Sequence, residues 1–196
     1  AEAAAVYSNA VNNLNQDYDL YSALNGRLAQ FGTIATRIEL AQAALAAWPT
    51  DNTAFATLMA LQLANKDQYA AQLTQMRWLA VQENDAPIYQ RIAQLYVQAQ
   101  ELQMGESVLL EAYHRWPENG NLVLSLADLY TAQGRHDKAA ELLTDSLRTI
   151  ADDDQLYGKL VEVYLALNDI GAAEQVLSAW QPASSNLRAH SILRSS

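Results

Sequence analysis

The sequence contains no cysteine, which excludes disulfides, thiolate metal sites and a cysteine nucleophile. Glycine and proline are scarce, with 7 and 4 residues in a chain of 196. Because these two residues interrupt helices most strongly, their scarcity favours helix over strand. No stretch approaches the run of about 18 apolar residues that a membrane-spanning helix needs, so none is predicted.

Basic residues are also few, since 12 Lys and Arg stand against 22 Asp and Glu, for a formal net charge of −10. This balance argues against nucleic acid as a partner, because phosphate backbones are bound through clusters of Lys and Arg. Apolar residues make up 51% of the chain, which is enough for a packed core and argues against wholesale disorder.

Three consecutive segments, 86–119, 120–153 and 154–187, align without gaps at a period of 34 residues. Aromatic or apolar residues, a small residue and a leucine recur at the same places in all three. The recurring columns are Tyr89, Val123 and Tyr157; Ile92, Leu126 and Leu160; Tyr96, Tyr130 and Tyr164; Gly105, Ala139 and Ala173; and Leu109, Leu143 and Leu177. A fixed period of this length is the signature of a repeat protein.

The same frame extends backwards into two weaker copies, 18–51 and 52–85, in which Leu28 and Gln62 replace the tyrosine of the later copies. Within a copy the apolar spacing is helical, and the run 133–135 interrupts it midway through the fourth copy. Each copy is therefore predicted to be two helices joined by a tight turn. Such a hairpin buries its apolar stripe only by stacking on its neighbours.

This pattern resembles the tetratricopeptide repeat, which places an aromatic residue, a leucine, a tyrosine, an alanine and a proline at fixed positions within 34 residues. The copy at 86–119 matches this signature at Tyr89, Ile92, Ala93, Tyr96, Gly105, Leu109, Ala112 and Pro117. The resemblance covers 18–187 as five tandem repeats. It implies an all-α fold, a right-handed superhelical solenoid of antiparallel helix pairs.

In that family the first helices of successive repeats line a concave groove, where ligands bind as extended peptides or helices. By position, the earlier copies would present small residues to this groove, chiefly Gly26, Ala29, Ala56 and Ala60. The candidate contact residues of the later copies are Gln90, Gln94, Val97, Gln98, Leu124, Asp128, Thr131, Glu162 and Leu165. None of the predicted positions is basic, so the clamp for a C-terminal carboxylate found in the chaperone-binding subclass is not expected.

The leading functional hypothesis is a protein–protein interaction scaffold within a larger assembly. We expect a protein or peptide partner that is neutral to basic and has apolar anchors, with Asp128 and Glu162 attracting its positive end. The alternative for these two acids is that they only solvate the surface. Two other functions stay open: a module that drives homo-oligomerisation, and the non-catalytic arm of a larger enzyme or exporter.

The two ends of the chain fit the repeat frame only in part. Residues 1–17 are predicted to be the second helix of a preceding partial repeat, and 188–196 a C-terminal cap or tail. Because the sequence opens within a repeat, we expect an excerpt from a longer solenoid, and a mature chain left by signal-peptide cleavage is the alternative. The alanine- and glutamine-rich, acidic composition is similar to that of Gram-negative envelope repeat proteins, which favours the periplasm over the cytoplasm.

No pattern of catalytic residues emerges from the sequence. His114, His136 and His190 are scattered, without the spacing of metal ligands, and no glycine-rich loop could hold a phosphate. The run 152–154 is three aspartates without the alternating ligands of a calcium loop, so we predict that it caps the following helix. We therefore expect no enzymatic activity, no metal and no cofactor.

Overall fold

The computed structural model describes residues 17–82, 84–150 and 153–180. Within these residues the regular secondary structure consists of ten α-helices and no strand, which confirms the predicted all-α repeat fold. The chain divides into two compact units, unit 1 (Ala1–Gly105) and unit 2 (Glu106–Ser196).

The helices follow one another in pairs along the chain. Unit 1 contains α1 (Tyr18–Phe31), α2 (Ile34–Ala47), α3 (Asn52–Ala64), α4 (Gln68–Val81) and α5 (Ala86–Gln98). The boundary between the units falls within α6 (Leu102–Arg115). Unit 2 continues with α7 (Gly120–Ala132), α8 (His136–Ser146), α9 (Asp154–Ala166) and α10 (Ile170–Ala179).

The first helices of the five pairs, α1, α3, α5, α7 and α9, begin 34 residues apart. Four of these five N-termini are capped by a short polar side chain that accepts a backbone N–H, as expected for Asp and Asn at this position. The capping residues are Asp17, Asp51, Asn119 and Asp153. Asp85 makes no such bond before α5, where a proline in the first turn needs no N–H partner.

In four pairs, the turn between the two helices contains a residue in the left-handed conformation at the same position. Lys66, Gln100, Gly134 and Asn168 have φ of 60°, 65°, 72° and 57°. In each case the next residue donates its N–H to a carbonyl near the end of the first helix, as in the 2.8 Å bond from Arg135 to Tyr130. Only one of the four is a glycine, so the sequence alone indicated this turn at a single position.

The tyrosine column lies mainly in the core. Tyr96 is 1% exposed and Tyr130 8%, whereas Tyr164 is half-buried. In the second pair the column holds Gln62, which is also buried, and its Oε1 accepts a hydrogen bond of 2.7 Å from the hydroxyl of Thr74. In this copy, which matches the repeat less well, the two buried polar side chains are hydrogen-bonded to each other, so the core tolerates them.

Tryptophan joins the two helices of a pair. Trp78 stacks on Phe55 at 5.7 Å, and the indole N–H donates to Asn52 at 2.8 Å. Trp180 stacks on Tyr157 at 6.2 Å, and its N–H donates to Asp154 at 2.7 Å. The two sets of residues are 102 positions apart, which is three periods, so the same arrangement occurs once in each unit. Both ring contacts lie within one copy of the repeat.

A small side chain lies near the start of the second helix in most pairs. Ala71, Ala139 and Ala173 are at most 1% exposed, and a Cβ at Gly105 would lie 3.2 Å from the carbonyl oxygen of Ala93. Close approach of the two helices explains this preference. The first pair departs from it, because Arg37 occupies the corresponding place.

The partial repeat predicted over 1–17 and the cap or tail predicted over 188–196 lie outside the described residues, apart from Asp17. The division of 18–187 into repeats 18–51, 52–85, 86–119, 120–153 and 154–187 remains our prediction.

Candidate functional site

The first helices of unit 1 border an open groove of about 650 Å3. Small side chains from α1 and α3 make up much of its wall, namely Gly26, Ala29, Ala56, Ala60 and Ala64. Four of these five are residues that the sequence analysis assigned to a groove. Because small side chains leave the backbone and the floor accessible, the groove can admit an extended chain.

One polar side chain of the groove is held in place by a hydrogen bond. Asn52 lines it with its amide oxygen engaged by the Trp78 indole. A second depression of about 340 Å3 shares Ala60, Leu95 and Gln98 with the groove and extends it towards Lys66.

Two arginines line the groove, contrary to our expectation that no groove position is basic. Arg91 projects from α5, where its Nη1 donates to the Gln94 amide oxygen at 2.9 Å. Arg37 comes from α2, a second helix, which the family-based positions do not include. Its side chain is half-buried, and its Nε is buried without a hydrogen-bond partner among the described residues.

Of the four candidates on α5, only Gln98 lines the groove. Gln94 is exposed and bonded to Arg91, and Gln90 is half-buried. Val97 lies against the second helix, 3.3 Å from where a Cβ of Gly105 would be. The groove-facing residues of α5 are instead Ile88, Arg91, Leu95 and Gln98. Their spacing of three or four residues marks one helical face, rotated from the predicted one by about a quarter of a turn.

The five candidates in unit 2 lie on α7 and α9. Leu124 and Thr131 are half-buried, and the Thr131 hydroxyl donates to the carbonyl of Ala127 at 2.8 Å. Asp128, Glu162 and Leu165 are exposed. The structure places these residues on two first helices that pack against each other, which fits a shared surface.

Lys159 occupies the space between the two predicted acidic contacts. Its Nζ lies 2.6 Å from an oxygen of Asp128 and 3.3 Å from one of Glu162. Burial alone would lower the pKa of Lys159, but the hydrogen bonds and charges of the two acids outweigh it and raise the pKa. The cluster therefore carries one net negative charge rather than two, which weakens its attraction for a basic partner.

A second ion pair in unit 2 joins Arg135 to Glu106 at 2.5 Å. The guanidinium also covers the Tyr130 ring, with its carbon 4.5 Å from the ring centre. The hydrogen bond from Arg135 lowers the pKa of Glu106 despite the opposing effect of burial. This pair is structural, since both charges are already satisfied.

Residues considered for metal chemistry have other roles. In the run 152–154, Asp153 caps α9 and Asp154 accepts from Trp180, while residue 152 lies outside the described part. No group of His, Asp and Glu among the described residues could hold a metal ion. None of the helices in this part of the chain has the length and apolar character required to cross a bilayer.

Comparison with known proteins identifies similar folds. A family model described as "Tetratricopeptide repeat" matches residues 105–158 and 130–195. A crystal structure of MamA protein is 16% identical, with 82% of this chain and 87% of that chain covered and a TM-score of 0.51. MamA 41-end from Desulfovibrio magneticus RS-1 is 12% identical, with 82% and 91% covered and a TM-score of 0.50. At these identities the likeness shows the fold alone, and no curated protein matches the sequence.

Proposed function

The chain belongs to the tetratricopeptide repeat family, and on this premise we propose that it is an interaction scaffold that binds a segment of a partner protein along its first helices. Proteins of this family are generally scaffolds for protein–protein interaction and are typically not catalytic. The partner segment would lie as an extended peptide or a helix against side chains of α1, α3 and α5.

The observation that carries this proposal is the open groove of unit 1. Elsewhere in this unit the large apolar side chains are mostly packed into the core, as for Phe55, Tyr89 and Tyr96. The groove instead combines apolar walls with Asn, Thr and Gln side chains that can bond to a peptide backbone. Binding sites for peptides commonly have this composition.

For unit 2 we propose a contact surface formed by the five candidates on α7 and α9. Leu124 and Leu165 would supply apolar contacts, and the cluster of Asp128, Lys159 and Glu162 would supply polar ones. The neutral-to-basic partner was predicted for the whole groove, and we keep that prediction for this surface. Lys159 weakens the expected attraction between the two acids and a basic partner.

Peptide display against the intact protein tests the proposal. Ala60 is an exposed residue of the groove, so Ala60→Trp should fill the groove without disturbing the core. Peptides selected on the wild type should lose binding to this variant. The matched control is Gln72→Trp, which adds the same side chain to an exposed position of α4 outside the groove and should leave binding unchanged.

Two results would refute the groove as the binding site: no peptide is enriched, or enriched peptides bind Ala60→Trp as well as the wild type. Light scattering over a concentration series tests one of the two alternatives, a module that drives homo-oligomerisation. A scaffold for other proteins should stay monomeric, whereas a module for homo-oligomerisation should grow in mass with concentration.

A further inference from the structure

We propose that the unit 1 groove selects a partner segment that carries an acidic side chain, which Arg37 and Arg91 recognise. This inference rests on the proposed function, and it concerns the chemistry of the partner. It differs from the neutral-to-basic partner expected from the sequence, because that expectation assumed no basic residue in the groove.

The groove of unit 1 carries positive charge. Arg37 and Arg91 both line it, and no Asp or Glu is among its lining residues. Neither arginine forms an ion pair with any residue that the structure describes. In a chain with a net charge of −10, two unneutralised cations in one concave surface create a local positive field.

Arg37 occupies a position that holds a small residue in every other pair. The corresponding residues of the other pairs are Ala71, Gly105, Ala139 and Ala173, where the helices approach closely. Arg37 also lies in the first turns of α2, where a cation is disfavoured by the helix dipole. Neither the packing nor the dipole explains an arginine here, whereas an anionic ligand does.

Both guanidinium groups are available to an anion. Arg37 is half-buried, and its Nε is buried without a hydrogen-bond partner among the described residues. Arg91 is hydrogen-bonded to Gln94, a neutral amide, so this bond orients the guanidinium without cancelling its charge. A guanidinium binds a carboxylate through two parallel hydrogen bonds, and a peptide supplies that group as an Asp or Glu side chain.

Synthetic peptides with blocked ends test this inference directly. One leucine-flanked, alanine-rich sequence is made with two Glu, two Gln or two Lys at its centre, and binding to the full chain is measured by fluorescence anisotropy. The Glu peptide should bind about tenfold more tightly than the Gln peptide, and the Lys peptide more weakly than both.

Variants assign the effect to the two arginines. Arg91→Gln and Arg37→Met should each reduce the preference for the Glu peptide several-fold, and circular dichroism checks that both remain helical. Because Arg91 is exposed, its variant keeps the test valid even if Arg37→Met fails to fold. The matched control is Arg27→Gln, which removes the same charge from an exposed position of α1 outside the groove and should change nothing.

Equal binding of the Glu and Gln peptides would overturn the inference, as would an equal loss in Arg27→Gln, which would indicate a general charge effect. The inference would also be overturned if a Gln peptide with a free C-terminal carboxylate bound more tightly than the Glu peptide. That result would indicate that the groove recognises the C-terminus of a chain. If the peptides bind equally and Ala60→Trp abolishes binding, the groove stands and only the acidic preference fails. If no peptide binds, this inference is overturned, and the groove itself is then judged by the display experiment.

Discussion

The two units differ in how many of their Lys and Arg side chains form ion pairs. Among the described residues of unit 1, none of the five Lys and Arg side chains forms an ion pair, and two of them line the groove. Of the five in the described part of unit 2, four do: Arg115, Arg135, Arg148 and Lys159. A cation that is already paired offers little to a ligand, so the two units present different chemistry on the same type of helix pair.

This difference shows how little net charge says about a binding surface. The acids of unit 2 predicted a negative surface, but Lys159 lies between the most prominent two. None of the predicted groove positions is basic, but two arginines line the groove of unit 1. Which charges remain available depends on neighbours three to four residues away on a helix, or about one period away on the next repeat.

The largest expected loss of stability comes from replacing the stacked tryptophan in each unit. Trp78→Ala should cost about 3–5 kcal/mol, because the side chain is fully buried and both its stacking and its hydrogen bond are lost. Trp180→Ala should cost less, because that side chain is 9% exposed. Urea unfolding followed by circular dichroism measures both. Equal losses would mean that the two arrangements are energetically equivalent despite their different burial.

A smaller effect concerns the loss of stability in acid. In unit 2, part of this loss should come from protonation of acids that form ion pairs. The pKa of Glu106 lies below its ordinary value of 4.5, so its contribution to stability is present above about pH 4.5 and is lost as the pH falls through the lowered pKa. Glu106→Gln should cost about 1 kcal/mol at neutral pH and almost nothing in strong acid. The measurement is the free energy of unfolding over a pH series.

The matched control for that experiment is Glu111→Gln, which removes an acid from an exposed pair with Arg115 in the same unit. Its cost at neutral pH should be smaller, because solvent screens the pair. A cost for Glu106→Gln that does not change with pH would show that packing, rather than the ion pair, accounts for it.

The smallest effect concerns the left-handed turn residues. Lys66→Gly in unit 1 should raise stability by up to about 1 kcal/mol, because a side chain is disfavoured at its φ of 60°. Asn168→Gly in unit 2 should raise it less, since Asn tolerates this conformation. Thermal unfolding measures both gains. A loss in Lys66→Gly would mean that the greater freedom of glycine in the unfolded chain outweighs the relief.

Much of the fold could be predicted because it depends on residues repeated at fixed spacing. The columns through Leu126, Tyr130 and Ala139 predicted the helix pairs, and all three residues are buried. The groove was harder to predict, because the family positions on α5 missed Arg91 and the second helix of the first pair was not considered. A departure from the small column at Arg37 was visible in the sequence and could have drawn attention to it.

The sequence by itself determined the helices, their pairing and their period, because caps, turns and apolar stripes act over a few residues and recur every 34. Only the tertiary structure decided which charges are free. Lys159 of α9 forms an ion pair with Asp128 of α7. Arg37 lines the groove from α2, which is a second helix, whereas the groove was predicted from first helices alone. Such contacts depend on distances between side chains of different helices, which a linear pattern does not contain.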